Sequence, residues 1–443
     1  MDQKSGGAPL SGVDELVAFF ASGIKPATQR RVGTEHEKFV VRRSAPGVVH
    51  YEGPDGIRVL LETLMQRFGY EPIRDRGNLI GLLRDGASLT LEPGGQFELS
   101  GAPFASLLDT ERELDLHFAE VREVCDELGL VCVGAGINGL QGLDEIDWMP
   151  KSRYAIMRRY MERVGTLGHW MMKMTCTVQA NFDFTSEEDA ADILRTALWL
   201  SPVVSAIFAR SPIKERRPSG FMSSRCHIWT DTDPDRTGFP SFMLDGGFGF
   251  RDYVEYTLDV PMYFIIRDGQ YIDMAGHSFR AFMADGHEGQ VATLTDYEDH
   301  VSTLFPEVRM KRYIEVRGAD VGPREYILGL PALWKGILYD DSARASARAL
   351  VTDLSVSQRT ELFTNAIRWS LDGPFPGGDG QIREVAAELI RIASAGLPAD
   401  ERRFLAPLQA DAAADLDPAH RLLARWNELG GDTATWFLEQ SYW

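Results

Sequence analysis

The residues best suited to chemistry are glutamates that recur at strand spacing. In GTEHEKF, Glu35 and Glu37 are two apart, so on a strand both side chains leave one face while His36 leaves the other. Gln96 and Glu98 repeat the pattern, with Glu92 just before the turn Pro93-Gly94-Gly95, and Tyr313, Glu315 and Arg317 alternate with Ile314 and Val316. In TCTVQANFDF the positions Thr175, Thr177, Gln179, Asn181 and Asp183 form a polar face, and Cys176, Val178, Ala180, Phe182 and Phe184 form an apolar one. If these strands are neighbours, their polar faces pool five carboxylates and the Gln179 amide in one concave patch. Carboxylates that close repel one another and take up protons unless a cation neutralises them. An all-oxygen set without His or Cys selects Mg²⁺ or Mn²⁺, whose shell is commonly completed by substrate phosphates and water. The ligand so implied is a metal-bound nucleotide. On strands that are not neighbours the same residues would be ordinary solvated surface.

Other signatures carry less. Gly134, Gly136 and Gly139 satisfy G-x-G-x-x-G by letters, but the following LQGLDEIDWMPKS has no helical periodicity, so the βαβ setting of a dinucleotide site is missing. Asp231, Asp233 and Asp235 resemble the start of a calcium loop, yet Arg236 stands where Gly is needed and Phe242 where Glu is needed, which leaves a turn or a loop on the substrate side. No P-loop and no G-x-S-x-G occur, and histidines such as His227 and His277 lack metal-ligand spacing. Cys125, Cys132, Cys176 and Cys226 form no C-x-x-C pair.

The elements that must position the glutamates alternate in kind. A helix over 105–129 carries Leu114, Phe118, Val121, Cys125 and Leu128 on one face, which makes Cys125 a core residue. A second begins after Ser186, with Asp189 completing a capping box, and is expected to kink or end at Pro202. A third fills 382–393 and stops at Gly396. Strands are expected over 31–41, 88–99, 175–184, 259–266 and 311–317. Strands arriving singly among helices predict an α+β fold: an antiparallel sheet with one face on a helical core and the other open. With no composition break, the 443 residues read as a single catalytic domain, its sheet-based site within about 30–340 and a mainly helical part over about 341–443. The net charge of −19 disfavours nucleic acid and anionic membrane as partners. No apolar run of about 20 residues, no secretory pattern at the N-terminus and few cysteines lead to the expectation of a cytoplasmic protein.

Beyond pattern, GTEHEKF (33–39), LEPGGQFELSGAP (91–103), MPKSRYAIMRRYM (149–161), TCTVQANFDF (175–184), RCHIWTDTDPDRTG (225–238), LDVPMYF (258–264) and FPEVRMKRYIEVRGAD (305–320) resemble the plant and proteobacterial type of glutamate–cysteine ligase. The resemblance spans roughly residues 10–340, with little to align beyond about 345. It implies a glutamine synthetase-like fold and ATP-dependent joining of the γ-carboxylate of glutamate to the amino group of cysteine through an acyl phosphate, the first step toward glutathione. A ligase of the same mechanism with another amine acceptor is the alternative. Glu35, Glu37, Glu92, Glu98, Gln179 and Glu315 match the family's metal-coordinating positions. Arg317 matches a residue that holds the ATP phosphates, and with Glu315 and Glu37 makes up the expected catalytic set. Arg225 matches the position that binds the glutamate carboxylate, and Arg153, Tyr154 and Trp229 lie in blocks that line the amino-acid pockets. Where plant members carry a cysteine of a regulatory disulfide this chain has Met274, so that bridge is not expected. GHWMMKM (168–174) and the stretch after Asp320 also depart from the plant pattern. Partners implied are small molecules only, in a monomer or homodimer.

Overall fold

The computed structural model describes residues 7–244 and 247–443. Its centre is a nine-stranded sheet made of β1 (Val32–Arg42), β2 (Glu71–Asp75), β3 (Asn78–Arg84), β4 (Ala87–Leu91), β5 (Phe97–Ser100), β6 (Leu130–Val133), β7 (Thr177–Phe182), β8 (Val308–Met310) and β9 (Ile314–Asp320). The order is β8-β9-β7-β1-β5-β4-β3-β2, with β6 on the outer half of β1, and every pairing is antiparallel. The α+β expectation therefore holds, and so does the adjacency on which the pooling of carboxylates depended.

The apolar face of β7 shows why the sheet closes on this side. Val178, Ala180 and Phe182, with Cys176 and Phe184 just beyond the strand, are fully buried, and helices Glu187–Ile207 and Arg324–Leu338 lie across β7, β9 and β1. Each large side chain there contributes about 1.5–3 kcal/mol by leaving water. The same apolar cluster runs from Leu16 through Leu198 to Ile390 and Phe437, so the helices after 341 complete this core.

Local signals set the helix ends, with corrections. Leu107–Leu128 forms the first expected helix, with Ser106 as N-cap and Cys125 buried. Ser186 caps Glu187–Ile207 by accepting from the Asp189 amide at 3.0 Å. The return bond of the expected capping box goes elsewhere: the Asp189 carboxylate accepts from the Thr185 amide and hydroxyl, each at 2.8 Å, and pairs with Arg30 and Arg344, each at 2.9 Å. Pro202 does not end this helix, which continues to Ile207. By length and composition it could cross a bilayer, but its apolar surface is mostly buried within the fold. The third helix, Ile382–Gly396, forms as expected.

Two strands are misplaced by the pattern. The segment 259–266 begins as the end of helix Phe250–Asp259, and only Phe264–Arg267 is extended, in a separate hairpin with Gln270–Asp273. Its continuous apolar run fits a buried helix end as well as a strand. Tyr313 lies in the turn between β8 and β9. The sheet's polar face is not open either: Thr175, Thr177, Gln179 and Asp183 are buried beneath segments from distant parts of the chain. The discounted motifs stay structural. Gly136 has no room for a Cβ, which would lie 2.7 Å from the Asp320 side chain, and buried Asp233 pairs with Arg236 inside a turn.

Behind the sheet, burial keeps His117 neutral, helped by Lys38, His36 and Arg84, and both its ring nitrogens lack partners. Burial also lowers His300, to about 4. An unfolded imidazole takes a proton below about 6.5 that these folded ones refuse, so their contribution is intact above that pH and is lost as pH falls, at up to about 1.4 kcal/mol per unit for each histidine. This loss runs against the gain from buried carboxylates held above their ordinary values, Glu35 at about 7 among them, so between pH 7 and pH 5 the unfolding midpoint of His117→Phe should gain on that of wild type. An equal change in both proteins would remove His117 from the acid response.

Candidate active site

Register places the expected side chains on one floor. Glu35 of β1 stands opposite Gln179 of β7, Glu37 opposite Glu98 of β5, Glu98 opposite Thr90 of β4, and Glu315 of β9 opposite Asn181 of β7. Glu92 joins them from the β4–β5 turn, whose Gly95 adopts φ +85°. The resulting cavity is lined by Glu35, Glu37, Glu92, Glu98 and Gln179 of this floor, and also by Met157, Met171, Met172 and Phe264. The Glu37 carboxylate accepts from the Thr177 amide at 2.9 Å, Glu98 accepts from the Thr90 hydroxyl at 2.7 Å, and Glu35 accepts from the Asn181 amide nitrogen at 2.7 Å.

These bonds orient the carboxylates without neutralising them. Burial, with Glu315 and Glu98 nearby, pushes Glu35 up to about 7. Burial, Glu98 and Glu92 push Glu37 well above its ordinary value, and burial and Glu92 raise Glu98. Among the described residues, no Lys or Arg nitrogen lies within 4.0 Å of a carboxylate of Glu35, Glu37, Glu92 or Glu98. No His or Cys lines the cavity. The Asn181 carbonyl oxygen is buried without a partner. An all-oxygen, uncompensated donor set of this kind fits a hard divalent cation.

Glu315 differs. Burial opposes its charge, but Arg309, Lys311 and Arg317 outweigh that and hold it well below the usual range. Arg309 donates to both its oxygens at 2.8 Å, Lys311 lies at 3.1 Å, and Arg317 pairs with it directly. It thus sits on the expected face but behind a layer of cations. Arg317 also donates to Gln179 Oε1 at 2.7 Å.

Arg225 comes from the short helix Ser224–Trp229, where Ser223 caps the first turn. It is buried, donates to the Arg317 carbonyl oxygen at 2.9 Å, and leaves its Nε unpartnered. Trp229 follows one turn later, with the Arg225 and Arg317 guanidiniums 5.9 and 6.0 Å from its ring centroid and its indole nitrogen unpartnered. Across the cavity, Arg153 lies 5.4 Å from the Tyr154 ring and its Nε is unpartnered. The Tyr154 hydroxyl is committed to the Leu91 carbonyl at 2.8 Å, so the ring, not the hydroxyl, faces the cavity. The structure therefore brings the expected residues to one cavity except Glu315, which lies behind Arg309 and Arg317 and does not line it. The sequence reading missed Asn181 as a partner of Glu35, though it lies on the same polar face as Gln179. It also missed Arg309, which stands opposite Glu315 across the β8–β9 hairpin, and Phe305 and Glu307, both within blocks already noted.

A carboxylate-floored cup on an antiparallel sheet, walled by arginines and backed by helices, is an arrangement that solved structures share. The structure superposes on the glutamate–cysteine ligase of Francisella tularensis, solved in complex with AMP, with TM-score 0.55 and 14% identity over 93% of this chain and 87% of that one. It also superposes on a bifunctional glutathione synthetase from Pasteurella multocida, with TM-score 0.53 and 12% identity over 96% of this chain and 53% of that one. Sequence then gives the family. The model of glutamate-cysteine ligase family 2 matches residues 31–439, and the chain belongs to that family. It is 44% identical over 419 residues to glutamate–cysteine ligase B of Oryza sativa subsp. japonica, covering 93% of this chain and 83% of the relative. It is 43% identical over 423 residues to the Arabidopsis thaliana enzyme, covering 94% and 80%. The chain is an enzyme, a ligase of the glutamate–cysteine type that serves glutathione synthesis.

Two expectations are corrected. The likeness does not stop near residue 345, because the family match runs to 439. The expectation of a cytoplasmic protein is contradicted by these relatives, which are named as chloroplastic. Four buried free thiols fit any reducing compartment and cannot single out the cytoplasm.

Proposed function

We propose that the cup binds ATP with Mg²⁺ or Mn²⁺ and joins the γ-carboxylate of L-glutamate to the amino group of L-cysteine. The observation that carries this reading is the set of uncompensated, buried carboxylates facing Arg225 and Arg317 across one cavity, in a chain of this family. The AMP bound to the Francisella ligase, which shares the fold, supports a nucleotide here. Glu35, Glu37, Glu92, Glu98, Gln179 and Glu315 would hold the metal, which when bound neutralises phosphate charge and aligns the transferring group. For Glu315 this requires loosening its ion pairs with Arg309 and Arg317. Arg317 is placed to take phosphate oxygens, and Arg225 the carboxylate of glutamate, a planar task suited to guanidinium. Arg153, Tyr154 and Trp229 line the amino-acid pockets. A γ-carboxylate oxygen attacks the terminal phosphorus and ADP leaves. The cysteine amine then attacks the acyl carbon, and phosphate leaves as the amide forms.

Release of ADP should require both amino acids, and release with glutamate alone at the full rate would point to a phosphotransferase instead. Mg²⁺ should also raise the unfolding midpoint, by about 3 °C at a hundredfold excess over its Kd, while K⁺ at equal ionic strength should not. An equal response to both ions would leave the carboxylates as a site for protons rather than metal.

A further inference from the structure

One buried carboxylate near the site has no task in this scheme. Glu307 lies between the bridge residues Phe305–Pro306 and β8, and is 7% exposed. Its backbone is fixed on both sides: the amide donates to the Gly238 carbonyl at 3.0 Å, and the carbonyl accepts from the Arg317 amide at 3.1 Å. Its side chain makes no hydrogen bond or ion pair within 4.0 Å among the described residues. Space is kept for it, since a Cβ on Gly318 would lie 2.5 Å from Glu307 Oε2. Glu307 lines a small cleft with Arg225, Trp229, Phe305, Pro306 and Arg317. Four of these, Arg225, Trp229, Phe305 and Arg317, also line the main cavity, so the cleft borders it.

A buried carboxylate without donors is costly unless a cation or donor from outside meets it. Arg225 and Arg317 stand by but are turned to other partners: Arg225 to the Arg317 carbonyl, and Arg317 to Glu315 and Gln179. A carboxylate and an unsaturated guanidinium lining one cleft match the head group of an α-amino acid, which presents an ammonium and a carboxylate on one carbon. The geometry points to Glu307 as the residue that binds the α-ammonium of the amino-acid donor, with Arg225 taking its α-carboxylate. The inference rests on the proposed glutamate site and names the group that makes that site selective for an amino acid over a plain dicarboxylic acid.

The test compares glutamate with glutarate, which keeps both carboxylates and lacks the ammonium, in ADP-release assays with cysteine and Mg·ATP. Wild type should favour glutamate in kcat/KM, and Glu307→Gln should reduce that preference about 10- to 100-fold, the factor carried by one charge-assisted hydrogen bond. The change should fall mainly on KM for glutamate, with KM for ATP unchanged. Glu307→Asp should restore part of the preference, which a merely structural role would not predict. If Glu307→Gln slows both acids alike, or if it does not fold while a folded Glu307→Asp keeps the full preference and KM, the assignment is overturned. Wild type inactive with glutamate would overturn the reading of the site itself, and this inference with it. Wild type active with an unchanged preference in the variant overturns this inference alone.

Discussion

Glu37→Gln should lower kcat by about 10³-fold or more while leaving the fold intact, and should make the metal-free protein more stable rather than less. The first part follows from position. Glu37 stands opposite Glu98 and is held by the Thr177 amide with its remaining oxygen free for a ligand, and loss of one preorganised charge-stabilising group at a reacting centre commonly has an effect of this size. The second follows from its surroundings. Burial and two neighbouring glutamates disfavour its ionisation, so a neutral isostere relieves repulsion that the apo fold must otherwise bear. Rate and midpoint should therefore move in opposite senses. Near-normal turnover, or loss of both activity and midpoint, would contradict a role for Glu37 in holding metal.

Arg225→Ala should raise KM for glutamate by about 10²-fold with little change in KM for ATP. Its guanidinium is buried, has one unpartnered nitrogen and faces the cavity beside Trp229. Removing a buried partner of a substrate carboxylate leaves that charge uncompensated, a penalty of a few kcal/mol. Arg225→Lys should recover little, because an ammonium cannot reproduce the planar two-point contact or the bond to the Arg317 carbonyl. An unchanged glutamate dependence would remove Arg225 from that pocket.

The floor of the site was legible in the sequence because strand parity is rigid. Glu35 and Glu37 could only share a face, and Glu98 and Glu315 obeyed the same rule. What parity cannot supply is which strands are neighbours. That came from the register of β9, β7, β1, β5 and β4, which turns separate polar stripes into one cup. Side chains whose role depends on a partner far along the chain escaped for the same reason. Gln179 was visible on its strand, but its contact with Arg317 spans 138 residues. The polar face was expected to be open because strand pattern says nothing of a roof, which here comes from three distant segments carrying Arg153, Arg225 and Phe305. Pro202 was over-read as a stop, since tertiary packing carries the helix past it. Glu307 lay in plain view in FPEVRMKRYIEVRGAD, but only burial without a partner marks it as a residue with work to do.

On the proposed reading, this cup makes a γ-linked peptide of glutamate and cysteine as ATP is cleaved to ADP and phosphate. The most direct measurement supplies purified protein with Mg²⁺, ATP and glutamate, offers cysteine, 2-aminobutyrate, alanine and other amines in parallel, follows ADP, and identifies the product by mass and NMR. ADP release should depend on the amine, cysteine should be preferred, and the product should be joined through the γ-carboxylate. Preference for another amine would keep the metal–nucleotide site and move the acceptor, whereas an α-linked product or no amine-dependent release would contradict the claim.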